Sequence, residues 1–270
     1  MSAFITRLSL FWAALFSLLS AVAARGPPQY PTTLEVDIVF PRNDTYAPVD
    51  AFPLVIAIQN NWLSQYLVFG LFVSWAIFNE DNQSTSSFVD TGIFMTEEPA
   101  YEDQRYLVSA TTQLNSTEGQ FLFYAYLDVN NCSTADVNAN GTYNGDTPSI
   151  KYIGSTYFTL QNTTQLPDLV AATSPDTCAS IAALLLNITG YTPRPGVSPI
   201  PGLSPEEQKQ CPVIGNATAS PTPCSVRLNQ TQAASISASA TAIACGVWPT
   251  DYPGYKAACE AEPESVACQE

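Results

Sequence analysis

The chain has 270 residues, and 46% of them are hydrophobic, which is enough to build the core of one or two domains. Only 12% are charged, and 24 acidic residues outnumber 9 basic ones. Nucleic acid and anionic membranes are therefore excluded as expected partners, because both are bound mainly through neutralised phosphates.

The chain contains no histidine. This excludes Ser-His-Asp and Cys-His nucleophile sites, histidine general bases and histidine-ligated metals. No C-x-x-C pair offers a zinc site instead. The sequence thus predicts no metal, no cofactor and no assigned catalytic residue.

The N-terminus has the pattern of a secretory signal. Arg7 precedes an apolar run at Leu8–Leu19, and the small residues around Ala21 and Ala23 offer a cleavage site. A membrane anchor would need about 20 apolar residues. We predict that residues 1–23 are a signal peptide and that the protein is secreted, either extracellular or associated with the cell wall, with no membrane contact after cleavage.

Residues 24–165 read as strands separated by turns. Thr32–Phe40 alternates strictly, with Leu34, Val36, Ile38 and Phe40 on one face. The longest apolar stretch after the signal is Trp62–Phe78, interpreted as a connection at Trp62–Tyr66 followed by a core strand. The other predicted strands are Phe52–Gln59, Ser87–Met95, Arg105–Leu114, Gln120–Val129 and Ser155–Gln161. Such short, regularly spaced strands predict a mainly β fold, an immunoglobulin-like antiparallel β-sandwich with Trp75 at its centre.

Residues 166–270 have a different composition, rich in Cys, Pro, Ser and Thr. Ser174-Pro175 resembles a helix start, and Cys178, Ile181, Leu185 and Ile188 recur at helical spacing, which predicts a helix through Asn187. A short helix is predicted after Ser204, and a further helix at Thr231–Ala244, where low-complexity coil is the competing interpretation. We expect a partly helical C-terminal region held by disulfides.

Seven cysteines in a secreted chain indicate disulfides, with one residue left unpaired or bonded to another chain. Connectivity does not follow from sequence. Our hypothesis pairs Cys132 with Cys178, tying the sandwich to the tail. The seven are Cys132, Cys178, Cys211, Cys224, Cys245, Cys259 and Cys268.

Nine N-x-Ser/Thr sequons predict a glycoprotein, because glycans would make a surface with so few charges soluble. They are Asn43, Asn82, Asn115, Asn131, Asn140, Asn162, Asn187, Asn216 and Asn229.

Several segments resemble secreted fungal proteins that carry an uncharacterised domain of unknown function. The matching segments are Phe52–Asn60, Val73–Phe78, Pro31–Phe40, Tyr46-Ala47-Pro48 and Asn131-Cys132-Ser133. The resemblance covers roughly residues 30 to 190 and implies a secreted, glycosylated, β-rich protein. It brings no catalytic residues.

Three functional hypotheses follow. The first is a non-catalytic binding or structural module at the cell surface or wall, with cell-wall polysaccharide or an extracellular protein as partner. Exposed aromatics would provide its ligand contacts, although local packing is the more common role of such residues. The candidates are Trp62, Tyr66, Trp248, Tyr252 and Tyr255.

The second hypothesis is a carboxylate-dependent glycoside hydrolase. Glu35 and Asp37 lie two residues apart and share a strand face, where they could converge with Asp128. The competing interpretation is an outward, solvated face. The third hypothesis is a secreted effector that binds a host or competitor protein. The sequence does not predict an oligomeric state.

Overall fold

The protein is described by a computed structural model that covers residues 28–65, 67, 72–80, 87–95, 103–132, 147–163, 165–178, 182–192, 211–216 and 219–245. The described chain forms two five-stranded sheets. In chain order the strands are β1 (Thr32–Phe40), β2 (Thr45–Tyr46), β3 (Phe52–Gln59), β4 (Phe72–Asn79), β5 (Ser87–Met95), β6 (Gln104–Thr111), β7 (Gly119–Asn131), β8 (Thr147–Leu160), β9 (Ala183–Thr192) and β10 (Cys211–Gly215).

The first sheet has the order β10-β9-β1-β3-β6, and all its neighbouring pairs are antiparallel. The second sheet has the order β2-β8-β7-β4-β5, with β2 alone running parallel to its neighbour. The predicted bounds of β1, β3 and β5 are confirmed, because alternation and turn residues define these strands locally.

Apolar side chains from both sheets meet in one core. Phe52 of the first sheet stacks on Phe158 of the second, with ring centroids 5.1 Å apart. Trp75 is 3% exposed and stacks on Phe123, at 6.4 Å between centroids. The expectation that Trp75 is buried in the core is confirmed.

The helix predicted over residues 174–187 is wrong. Ala183–Thr192 forms β9, which pairs with β1 from Thr32↔Ile188 to Asp37↔Ala183. The segment is compatible with both periods. A strand period is met by Leu184, Leu186 and Ile188, and a helical one by Leu185 and Ile188. The free edge of β1 decides between them, since tertiary pairing overrides local propensity. The helical turn in this region lies earlier, at Leu169–Ala172.

The helix predicted at Thr231–Ala244 is confirmed as Gln230–Ala244, here called α1. Asn229 caps it: its side chain accepts from the Gln232 amide at 2.9 Å, and the Gln232 side chain accepts from the Asn229 amide at 3.0 Å. The short helix predicted after Ser204 lies outside the described residues. No helix in the described part of the chain is long and apolar enough to cross a membrane.

The proposed Cys132–Cys178 disulfide is also wrong. Cys132 bonds Cys211, and Cys178 bonds Cys224. The first bond joins the end of β7 to β10, and the second joins the segment before β9 to the segment before α1. Cys245 is exposed and has no disulfide partner among the described residues, whereas Cys259 and Cys268 lie outside them.

We expect Gly92→Ala to destabilise the protein by about 1–3 kcal/mol, because it overpacks the core. Gly92 lies opposite Trp75 on β5, and a Cβ there would come within 2.6 Å of the indole ring. Urea unfolding would measure the effect. In a double-mutant cycle, Trp75→Phe should relieve most of the clash, whereas strictly additive effects would show that the indole does not fill this space.

Candidate functional site

The outer face of the second sheet carries a line of aromatic rings, here called the aromatic strip. It consists of Phe88, Phe78, Tyr124, Tyr152 and Tyr126, and it crosses β5, β4, β7 and β8. Successive ring centroids are 5.8, 5.7, 6.3 and 5.4 Å apart. The rings form a continuous line because the register places Phe88 opposite Phe78 and Tyr152 opposite Tyr126.

Much of this line faces solvent. Phe88 is 57% exposed, Tyr152 48% and Tyr126 37%, and the flanking Tyr157 is 47% exposed. Phe78 and Tyr124 are half-buried, and Phe78 packs edge-on against rings on both sides. Cross-strand packing therefore accounts for these two, while the exposed rings are available to a ligand.

Polar groups border the strip. Asp128 follows Tyr126 by two residues on β7 and lies on the same face. Burial, the Tyr152 and Tyr157 hydroxyls and the Glu80 carboxylate raise the pKa of Tyr124, so its hydroxyl remains a donor to a higher pH than that of an ordinary tyrosine. The strip thus combines apolar ring faces with hydroxyls and carboxylates that can bind a polar, uncharged ligand.

A second feature lies on the outer face of the first sheet, where Glu35 and Asp37 are 3% and 0% exposed. The interpretation of a solvated acidic face is wrong. Residues 219–245, here called the C-terminal strap, cover these carboxyl groups. The Thr222 amide donates to Glu35 Oε1 at 2.6 Å, and the Thr222 hydroxyl donates to Oε2 at 3.2 Å.

Asp37 has fewer partners. Gln59 Nε2 donates to its Oδ2 at 2.9 Å, whereas its buried Oδ1 has no hydrogen-bond partner among the described residues. Burial raises the pKa of Asp37 to about 8; the Gln59 hydrogen bond opposes the rise and the adjacent Glu35 adds to it. Asp37 is therefore mainly protonated at neutral pH, and a proton on Oδ1 turns that atom into a donor.

The three carboxylates proposed for a hydrolase do not converge. Glu35 and Asp37 lie under the C-terminal strap on the first sheet, whereas Asp128 lies beside the aromatic strip on the second. A glycoside hydrolase needs two carboxyl groups that flank an accessible substrate bond. In this arrangement the buried pair supports the attachment of the strap.

Of the aromatics predicted as ligand contacts, the structure describes Trp62, which lies in the 3₁₀ helix Asn61–Gln65 and packs, half-buried, against the core. Tyr66, Trp248, Tyr252 and Tyr255 lie outside the described residues. The residues of the aromatic strip were missed. The sequence carried a signal for them within Gln120–Val129. Tyr124 and Tyr126 occupy alternate positions there, and the residues between and beside them face the core: Phe123, Ala125 and Leu127.

The sequons differ in environment. Asn187 is 7% exposed, and its Nδ2 donates to the Asn216 carbonyl at 2.7 Å. Asn131 is half-buried at the end of β7, where its Oδ1 accepts from the Ile214 amide at 2.9 Å. Asn82 and Asn140 lie outside the described residues. The exposed sequons are Asn43, Asn115, Asn162, Asn216 and Asn229.

A cleft of about 430 Å³ lies between the turn after β1 and residues 165–177. The buried Arg42 guanidinium donates to the Thr177 carbonyl, and Gln165 Nε2 donates to Asp44 Oδ2 at 2.7 Å. The charged groups at this cleft therefore hold the two segments together.

Asp37→Asn should raise the melting temperature at pH 8, because an amide matches the protonated acid in shape and cannot ionise. The folded protein holds this proton to a higher pH than the unfolded chain does. Stability is therefore fully present below about pH 4 and falls as the pH rises toward 8, by at most roughly 1.4 kcal/mol per pH unit. Thermal melts at pH 5 and pH 8 would show the benefit growing with pH; a benefit equal at both would contradict a protonated Asp37.

Comparison with known proteins gives one informative result. A model of the family described as Domain of unknown function (DUF7136) matches residues 29–251. No curated protein matches the chain. The matched range contains both sheets, both disulfides and the strap, so the chain belongs to the DUF7136 family.

Proposed function

We propose that this protein is a non-catalytic extracellular binding module that holds a neutral polysaccharide of the cell surface or wall against the aromatic strip. The observation that carries the proposal is the line of rings across four strands, in which Phe88, Tyr152 and Tyr126 are 57%, 48% and 37% exposed.

The chemistry of the strip suits a sugar polymer. The C–H faces of a pyranose ring are apolar and can lie on an aromatic ring, while sugar hydroxyls need donors and acceptors at the rim. Tyr126 and Tyr152 supply rings with hydroxyls, and Asp128 supplies a carboxylate beside them. The line of rings also suits an extended ligand better than a compact one.

Charge selects among the polymers. The chain has a net charge of −15, so acidic polysaccharides, nucleic acids and anionic lipids are repelled. A neutral glucan or chitin-type chain avoids this cost.

The extracellular location is part of the proposal. Two disulfides among the described residues are typical of an oxidising compartment, and the predicted signal peptide and exposed sequons point the same way. We also propose that the two sheets form an immunoglobulin-like sandwich and that the family is fungal, as the resemblance implies.

The other two hypotheses are less well supported. A glycoside hydrolase would need the Glu35–Asp37 pair to be open to substrate, and Thr222 covers it. An effector that binds another protein could use the same exposed rings, since aromatics are enriched at protein interfaces. The binding experiment distinguishes a protein partner from a polysaccharide.

The mature protein should be retained by at least one insoluble neutral polysaccharide among cellulose, chitin and β-1,3-glucan. We expect Tyr126→Ala with Tyr152→Ala to weaken this retention about tenfold or more, because two stacking rings are lost. Depletion from solution over a range of polymer concentrations would measure the affinity.

Tyr191→Ala is the matched control, since Tyr191 is 45% exposed but lies on β9 of the other sheet. It should bind like the wild type. Absence of retention on every polymer, or equal losses in the control and the strip variant, would contradict the proposal and favour a protein partner.

Glycopeptide mass spectrometry of the secreted protein should find Asn187 unmodified. Its side chain is buried and its Nδ2 is bonded to the Asn216 carbonyl, so a glycan would displace strand β10. The exposed Asn115 serves as a positive control. Substantial occupancy at Asn187 would show that β9 and β10 do not pair as described.

A further inference from the structure

The C-terminal strap contacts the carboxyl pair of the first sheet through one residue. Thr222 donates two hydrogen bonds to Glu35, from its amide at 2.6 Å and from its hydroxyl at 3.2 Å. Its carbonyl accepts from Gln59 Nε2 at 3.3 Å, and the same Gln59 amide group donates to Asp37. Thr222 is thus held by the groups that surround the buried carboxyl pair.

The rest of the strap adds contacts of its own. Tyr106 donates to the Arg227 carbonyl at 3.1 Å, and the Leu228 amide donates to Thr173 Oγ1 at 3.0 Å. Three apolar side chains of the strap are buried in the core: Val226, Leu228 and Ile236. Apolar burial therefore holds the strap in place, and the hydrogen bonds at Thr222 add the part of its attachment that depends on charge.

The charge of the pair follows from its partners. Both oxygens of Glu35 accept from Thr222, so each of them has a donor. The buried Asp37 Oδ1 has no donor to accept from, and only a proton makes it a useful hydrogen-bonding atom there. The closed strap therefore favours a proton on Asp37.

Among the described residues, those that lie opposite Glu35 and Asp37 on the neighbouring strands include no cation. Glu35 lies between Leu185 of β9 and Gln59 of β3. Asp37 lies between Ala183 of β9 and Ala57 of β3. The titratable neighbour on β6 is Tyr106, whose pKa burial and Asp37 raise to about 12. On the strap, the Arg227 guanidinium donates to the Thr173 carbonyl, and α1 contains no charged residue.

We propose that the Glu35–Asp37 pair makes the attachment of the C-terminal strap dependent on pH, so that the strap is held more firmly while Asp37 is protonated and opens more readily once that proton is lost. Two adjacent negative charges beneath Thr222 repel each other, and the donors described for them are Thr222 and Gln59 alone. The Cys178–Cys224 disulfide keeps the opened strap tethered to the sandwich. The device belongs to the fold itself and does not rest on the polysaccharide proposal.

The direction of the effect follows from proton linkage. The closed strap raises the pKa of Asp37, whereas opening exposes this carboxyl to water and restores its ordinary value near 4. The closed form therefore binds more protons between about pH 4 and pH 8. The strap is held most firmly in acidic surroundings, and opening becomes easier as the pH rises through this range.

Amide hydrogen exchange of the whole protein tests the proposal, with rates corrected for the intrinsic effect of pH. The opening constant for amides of α1 should increase by up to about tenfold per pH unit between pH 5 and pH 7. Amides of β3 provide the internal reference and should change much less. Asp37→Asn should remove the pH dependence at α1, while the control Asp128→Asn should keep it.

Three outcomes would overturn the proposal. The first is a wild-type opening constant for α1 that does not change with pH. The second is the same pH dependence at α1 and β3, which would mean that the pair titrates only when the whole protein unfolds. The third is an unchanged slope in Asp37→Asn. The first two need no variant, so the test stands even if the substitution impairs folding.

Discussion

A carboxyl pair on the outer face of β1 is the constraint on which the arrangement of the C-terminal half depends. Glu35 and Asp37 alternate with core residues and therefore point away from the space between the sheets. Burying two acids is costly unless donors and a proton compensate for it. Thr222 and Gln59 supply the donors, which fixes where the strap crosses the first sheet. The disulfide from Cys224 to Cys178 then holds the strap to the segment that leads into β9.

This arrangement divides the molecule into two unlike faces. The C-terminal strap, which includes α1, covers the first sheet, and polar groups of that sheet bind the strap. The second sheet presents rings that are exposed far beyond what cross-strand packing needs. A net charge of −15 limits the ligands of that face to neutral or basic ones. We therefore propose that the second sheet binds the ligand and that the first sheet is mainly structural.

Sequence alone predicted the local features of the fold. Strict alternation gave β1, a nearly continuous apolar run gave β3, and Trp75 was recognised as a core residue. Prediction failed where a distant segment decides the outcome. Ala183–Thr192 satisfies a helical and a strand period, and only the free edge of β1 selects the strand. The burial of Glu35 and Asp37 depends on Thr222, about two hundred residues later, so an acidic alternating strand looked solvated. The aromatic strip arises from the register of four strands, which sequence does not specify.

Hydroxyl-radical footprinting with and without a soluble fragment of the bound polysaccharide tests the division into two faces most directly. The account predicts that Tyr126 and Tyr152 are oxidised readily in the free protein and protected by the ligand. The half-buried Tyr106, beneath the strap, should react more slowly than they do in the free protein and should not change with ligand. Tyr191 should react equally with and without ligand. Protection of Tyr191 without protection of Tyr126 and Tyr152, or rapid oxidation of Tyr106 in the free protein, would contradict the account.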